Sequence, residues 1–414
     1  MNRFMPIICR WQNSTITICV AVSGEMGFFM DKTVRLFDML PSESEFEARV
    51  LSCLPDGQGK YTVVLDKTLF FPEEGGQACD TGVLGGVEVI HVYEKERVIY
   101  HTVAEPLAEG SLVSGKIDFC ERFRKMQNHT GEHIVSGLIF KNFGFNNVGF
   151  HLGKDIMTAD FDGVLDGEQL LLIETLANRA VFECHSIRGY YPSTEELETL
   201  EYRSKLDLCE NVRIVEIEGV DKCACCAPHV SNTGQVGLIK ILECEKYKGG
   251  IRLYMKCGYD ALDGYRAEYE QSRRISVAIS TRHDEVAHGV DRLLEDISSL
   301  KGEIAALKRS LMSYKLEKIE ATDGNICIFE DAGLDAVSLR NMANEIKKRC
   351  GGICAVFAGD DEGGYKYIIA SATVDLRDHA KEINAAISGR GGGSSEMIQG
   401  SCVAKRAEIE EYFA

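Results

Sequence analysis

Two histidines four residues apart, His129 and His133, sit in the run Gln127-Asn128-His129-Thr130-Gly131-Glu132-His133. On a helix, positions i and i+4 share one face a turn apart, so both rings can converge on one metal ion. Ile134, Leu138 and Ile139 follow at helical apolar spacing. The pair alone also fits packed or solvated helix histidines. A second pair adds weight: in Cys225-Cys226-Ala227-Pro228-His229 a thiol and an imidazole again stand four apart. His129, His133, Cys225 and His229 together form a donor set suited to zinc.

Several elements must position these side chains. Tyr61–Leu65, Val87–Val92 and Val98–Val103 read as strands, and Gly110–Gly115 as a turn, which predicts a small β-barrel or β-rich domain over 31–120. Within it, Phe70–Gly82 holds Gly75 and Gly76, where backbone can approach a ligand closely. Residues 121–265 mix the His129 helix, strands near His151 and over Met157–Phe161, a helix from Gly167 to Cys184, and strands at Arg213–Ile217, Gln235–Ile241 and Ile251–Met255. A helix packed on antiparallel sheet makes this an α+β domain.

Residues 266–320 are expected to be a long helix. From Val286 through Val290, Leu293, Ile297, Leu300, Ile304, Leu307 and Leu311 to Tyr314, the apolar steps alternate between four and three. Such a heptad seam predicts a coiled-coil-like helix and a homodimer through 284–318; the other way to cover it is its own C-terminal domain folding back. Residues 321–414 read as an α/β domain, with strands at Ile326–Phe329, Ile353–Phe357 and Tyr367–Ala370 and helices over Val337–Cys350 and Asp375–Ser388. Gly389–Gly400 then reads either as a linker or as a backbone nest, with Arg390, Gly391, Gly392 and Gly393 suited to a phosphate backbone.

The chain has 414 residues, 45% hydrophobic and 27% charged, which suits two or three soluble domains. Sixteen scattered cysteines read as reduced thiols plus a metal site, hence a cytoplasmic protein. A net charge of -18 means that a nucleic-acid partner needs a local basic patch. No apolar run is long enough to span a membrane. Thr15–Val22, after Arg3 and Arg10, faintly resembles a signal peptide; residues 1–30 are taken as an extension, with Met30 an alternative start.

The motifs resemble those of the editing domain of alanyl-tRNA synthetases and of free-standing alanyl-tRNA editing proteins. The matching positions are His129 and His133, then Cys225, His229, Val230, Thr233, Gly234 and Gly237. Phe71–Gln77 with Asp80, Thr81 and Gly82 resembles the glycine-rich loop of the preceding β-domain, and Gly389–Gly393 with Met397 and Gln399 the C-terminal DHH-associated domain. The resemblance spans roughly 31–414, with no aminoacylation domain ahead of it, which points to a stand-alone editing protein. Cys226-Ala227-Pro228 departs from the usual Gly-Gly-Thr, and Cys223 and Cys226 add thiols beside the expected ligand. Val148–Leu152 lies in a region that contributes to substrate choice in the family.

The resemblance implies zinc-dependent hydrolysis of mischarged alanine tRNA carrying serine or glycine. Thr130, Gly75 and Gly76 would line the pocket and position the amino acid. Glu132 would act behind the metal or simply be solvated. Zinc could polarise the ester, lower the pKa of a bound water, or grip the amino group, which calls for an open or exchangeable position. Two other readings remain. His129-x-x-Glu132-His133 also matches inverzincin proteases, with Glu132 as base and Glu183 or Glu210 as a further ligand. A tRNA-binding module with structural zinc would bind without hydrolysing.

Overall fold

The computed structural model describes residues 32–204 and 212–414, so the expectations for the N-terminal extension, its alternative start and Glu210 lie outside the described residues. The chain divides into two compact units, one ending at Gln271 and the other running Ser272–Ala414.

In the first unit, six strands pair in the order Glu45–Pro55, Tyr61–Leu65, Val98–Val103, Val87–Lys95, Gly82–Leu84 and Leu112–Ile117, and the last returns to the first to close a barrel. Alternation along the strands turns Val63, Leu65, Val89, Val92, Ile99 and Val103 into the barrel core. Closure leaves these strands no free edge. The turn expected at Gly110–Gly115 is shorter than predicted. Only Gly110 has positive φ (76°), and the strand starts at Leu112 because its amides and carbonyls find partners on Glu45–Pro55.

The Phe119–Phe143 helix follows directly. Asp118 caps it by accepting from Glu121 N–H at 3.1 Å, and Gly144 ends it in a left-handed conformation. Its core side, including Ile134, Val135 and Ile139, packs on a sheet of order Ile239–Tyr247, Gly250–Cys257, Met157–Phe161, Asn147–Leu152. The helix approaches its neighbours unusually closely at two glycines. A Cβ on Gly131 would collide with Cys257 Sγ, and one on Gly137 with Asp221. A third sheet, Ile187–Tyr190, Ile214–Ile217 and Asp221–Ala224, leads into the Cys225 loop. The strand expected over Gln235–Ile241 starts only at Ile239. Thr233–Val236 is a 3-10 turn, because the Asn232 side chain accepts from Gln235 N–H.

The long helix expected over 266–320 is interrupted: one helix, Gly258–Ala278, ends before a 3-10 turn at His283–Glu285, and Val286–Glu317, in the second unit, carries the predicted seam, whose residues from Val290 to Tyr314 are 39% to 69% exposed. A sheet of order Ile326–Glu330, Ile353–Asp360, Gly364–Ser371, Met397–Cys402, Gly389–Gly393 follows. Only its first pair is parallel, so the expected α/β pattern gives way to a largely antiparallel sheet built from hairpins. Gly389–Gly393 is neither linker nor nest but the edge strand of that sheet. A Cβ at Gly391 would strike the Tyr367 hydroxyl and the Gln399 carbonyl, so glycine here answers a close approach between strands. Among the described residues, no helix is long and apolar enough to cross a membrane.

Candidate metal centre

The helix presents His129 and His133 on its buried side, and the loop after Asp221–Ala224 brings Cys225 and His229 to meet them. One ligand atom from each of the four lies within 4.8 Å of the others. Cys225 Sγ stands 3.6 Å from His129 Nε2 and 3.4 Å from His229 Nε2. Tetrahedral zinc with ligands at ~2.0–2.3 Å separates its donors by about 3.5 Å, so the cluster has the size that ion needs.

Each imidazole is fixed from behind through Nδ1, which leaves Nε2 facing the centre. His129 Nδ1 meets Gln77 Oε1 at 2.9 Å, His133 Nδ1 meets Asp221 Oδ2 at 3.1 Å, and His229 Nδ1 meets Thr130 Oγ1 at 3.0 Å. Such partners set the tautomer and ring orientation of a metal-binding histidine. Asp221 is itself clamped by Arg203, both nitrogen–oxygen pairs at 2.8 Å.

Charge distribution in the cluster favours a thiolate. Burial resists ionisation of Cys225, but the neighbouring His129 and His229 rings overcome it and hold the thiol well below its ordinary range. Burial also opposes a charged His133; the hydrogen bond to Asp221 outweighs it and raises that ring well above its usual value. His229, with no carboxylate behind it, is pushed by burial down to about 3. The extra thiols are protonated by contrast, since burial pushes Cys223 up to about 11 and Cys226 higher still.

The glycine loop supplies one wall. Gly75 and Gly76 both have positive φ, 64° and 81°, in the turn between Glu74 and Gln77. The Gly76 carbonyl accepts from Leu152 N–H at 2.9 Å, and a Cβ there would press on the Phe150 carbonyl. The loop thereby docks on the Asn147–Leu152 strand and carries Gln77 to His129. Asp80 anchors the other end, accepting from Phe71 N–H at 2.7 Å and from the buried Arg122 Nε at 3.0 Å. Above the four donors opens a cleft of about 390 Å³ walled by Gly75, Phe150, Cys226, Arg35, Arg203 and Arg213.

Several expected roles change. Gly75 lines the cleft, whereas Gly76 faces the neighbouring strand. Thr130 is fully buried behind His229, bonded to its ring and to Val230 N–H, and does not line the cleft. Glu132 is buried rather than solvated. It lines the cleft floor, and its carboxylate accepts from Ser136 Oγ at 2.5 Å and from Asn147 Nδ2. Glu183, one carboxylate of the protease reading, is bound to Arg179 and His185 at the surface and is absent from the donor cluster. Arg390 and its glycines lie in the second unit, exposed on an edge strand. Sequence reasoning missed Asp221 and Arg203 altogether; Gln77 was legible only as part of the glycine motif.

Residues 212–254 match the Threonyl and Alanyl tRNA synthetase second additional domain, and residues 323–411 match the DHHA1 domain. The chain is 29% identical over 394 residues to an alanine–tRNA ligase of Ignicoccus hospitalis, covering 91% of this chain and 42% of that one. It is 30% identical over 402 residues to the ligase of Pyrococcus abyssi, covering 92% and 43%. To the alanyl-tRNA editing protein Aarsd1 of Danio rerio it is 28% identical over 392 residues, covering 88% of this chain and 93% of that protein. The chain thus spans under half the length of the ligases it matches and nearly all of the editing protein.

Proposed function

We propose, from a chain homologous to free-standing alanyl-tRNA editing proteins over most of its length and carrying the synthetase second additional domain and a DHHA1 domain, that it hydrolyses the ester of mischarged tRNA. Its substrates are alanine tRNA carrying serine or glycine. The carrying observation is the cluster of three imidazoles and one thiolate, with donor atoms all within 4.8 Å of one another, under an open cleft.

His129, His133, Cys225 and His229 would hold zinc. The ion supplies a Lewis acid for the ester carbonyl, or a water of pKa near ~7, when one position is free or exchangeable. Gln77, Asp221 and Thr130 keep the three Nδ1 atoms engaged, so that every Nε2 lone pair points inward. Thr130 is therefore a positioning residue, as is Glu132 through its bonds to Ser136 and Asn147. Gly75 admits the aminoacyl group beside Cys226, and Phe150, its ring tilted against His129 at 4.6 Å, shields the centre from bulk water. Arg35, Arg203 and Arg213 also line the cleft, but each is already paired with a carboxylate, Asp38, Asp221 and Asp38 in turn, so the wall offers a terminal phosphate little net positive charge.

The second unit carries the domains proposed for affinity and assembly. The exposed seam joins two copies through residues 284–318, and Arg390 with Gly391, Gly392 and Gly393 contacts the RNA backbone. Deacylation of seryl-, glycyl- and alanyl-tRNA, with and without a zinc chelator, tests the function. Release of serine or glycine that stops on chelation supports it. Binding without hydrolysis returns the structural-zinc module, and peptide cleavage returns the protease.

A further inference from the structure

The outer face of the barrel carries three aromatic rings that form one stack. Tyr93 and Tyr100 are cross-strand partners with ring centroids 5.0 Å apart and planes 12° apart. His91, two residues before Tyr93 on the same strand face, extends the stack at 5.9 Å and 24°. A tyrosine pair on neighbouring strands is an ordinary sheet-stabilising contact. The third ring is not part of such a pair: opposite His91 stands Thr102. It is held instead by Glu73, whose carboxylate meets His91 Nε2 at 3.0 Å.

That bond ties the stack to the cleft. Glu73 N–H donates to the Val92 carbonyl at 2.9 Å, and the next two residues, Glu74 and Gly75, are cleft wall. A second tie runs beside it, where Arg35 in the cleft wall bonds Glu94, the neighbour of Tyr93, at 3.2 Å. The rings remain open to solvent, with Tyr93 37% exposed and the His91 side chain 44%. A chain of net charge -18 repels phosphate, so RNA affinity near the cleft needs a source other than Coulomb attraction. Aromatic faces provide one, because every base has a face to stack on them.

We infer that His91, Tyr93 and Tyr100 are a stacking platform for the unpaired nucleotides at the 3′ end of the RNA whose ester enters the cleft. The inference rests on the deacylase reading given above. Stacking reads no sequence, so the platform serves any unpaired 3′ end, and identity must be read elsewhere on the RNA.

The ends of the stack, His91 and Tyr100, carry the faces not covered by Tyr93. The test uses the full-length, zinc-loaded protein and three variants: Tyr100→Ala, His91→Ala with Tyr100→Ala, and Tyr100→Trp. Substrates are seryl-tRNA and a seryl-adenosine ester, which lacks the other unpaired nucleotides. Tyr100→Ala should raise KM for seryl-tRNA about tenfold, the worth of one lost stacking contact, with kcat within about twofold. The double variant should raise it further and Tyr100→Trp should restore it. The ratio of the two substrates' KM values should shift by the same factor. The loss should also be equal at low and high salt, since stacking releases no counterions. Equal KM increases for both substrates would mean that the rings only support the cleft. An unchanged KM for seryl-tRNA would mean a sheet contact or a protein-binding face. Either result overturns the platform. Should the unaltered protein deacylate nothing, the deacylase reading fails separately, and binding of a labelled unpaired oligoribonucleotide decides the platform: retained affinity in His91→Ala with Tyr100→Ala rejects it.

Discussion

Asp221 is where the metal centre is most sensitive to a single change outside its donors. Its carboxylate accepts from His133 Nδ1 and, through both oxygens, from Arg203. Asp221→Asn keeps the shape and removes the charge. The amide retains one acceptor oxygen, which in the place of Oδ2 still meets His133 Nδ1 and Arg203 Nη2 but without the charge, and its nitrogen then faces Arg203 Nε, a donor. A hydrogen bond to a charged group contributes about 1.5–3 kcal/mol, against about 0.5–1.5 for a neutral one. With about 1.4 kcal/mol per tenfold, Asp221→Asn should weaken zinc binding about 10- to 100-fold. Thr130→Val removes only a neutral hydroxyl from behind His229 and should weaken it a few-fold. Competition against a colorimetric chelator gives both constants on the purified chain. A Thr130→Val loss as large as that of Asp221→Asn would refute the argument from charge. Unchanged affinity in Asp221→Asn would show that His133 is not held in place by this carboxylate.

Four further outcomes are expected. Cys225→Ala should lose bound zinc by metal analysis whereas Cys226→Ala should retain it; the reverse would assign the wrong thiol. Glu132→Gln keeps an acceptor for Ser136 and Asn147 and should leave deacylation largely intact, while abolished activity with zinc retained would revive a general-base role. His101 is buried among barrel strands and held by burial at about 4, against 6.5 in the unfolded chain. The unfolded state therefore binds more protons in this window: His101 favours folding fully above pH ~6.5 and loses up to about 3 kcal/mol as pH falls towards ~4, so the urea stability of His101→Gln should decline less steeply there. Ile297→Asp with Ile304→Asp should convert a dimer into a monomer by light scattering, and an unchanged mass would leave the seam without its proposed role.

The donors were legible because helix geometry and short loops bring residues four apart together. Their supports were not. Gln77, Asp221 and Thr130 lie 52, 88 and 99 residues from the histidines they hold, and no local pattern encodes such pairings. Solvation was one of two readings of Glu132, because a carboxylate is normally exposed; Ser136 one turn on and Asn147 on the next strand make its burial tolerable. Glycine composition misled at Gly389–Gly393, where low propensity is outweighed by pairing with Met397–Cys402 and by the Tyr367 hydroxyl beneath. The heptad period, by contrast, is a local property and located the Val286–Glu317 helix.

Arg213 carries a consequence for how the site acquires its metal. Its guanidinium donates to the carbonyls of Cys225 at 3.1 Å and Ala227 at 2.8 Å, and Ala227 is part of the barrel core. Side-chain bonds and apolar packing thus hold the ligand loop in its bent shape. The ordering entropy of that loop is met during folding of the first unit. Zinc, if it is the ion bound, would find donors already in place, unlike in a zinc finger, whose chain folds only around its metal. Metal should then be exchangeable without unfolding, and the melting temperature should climb smoothly with free zinc instead of switching between folded and unfolded forms. A chain built this way would not need zinc in order to fold.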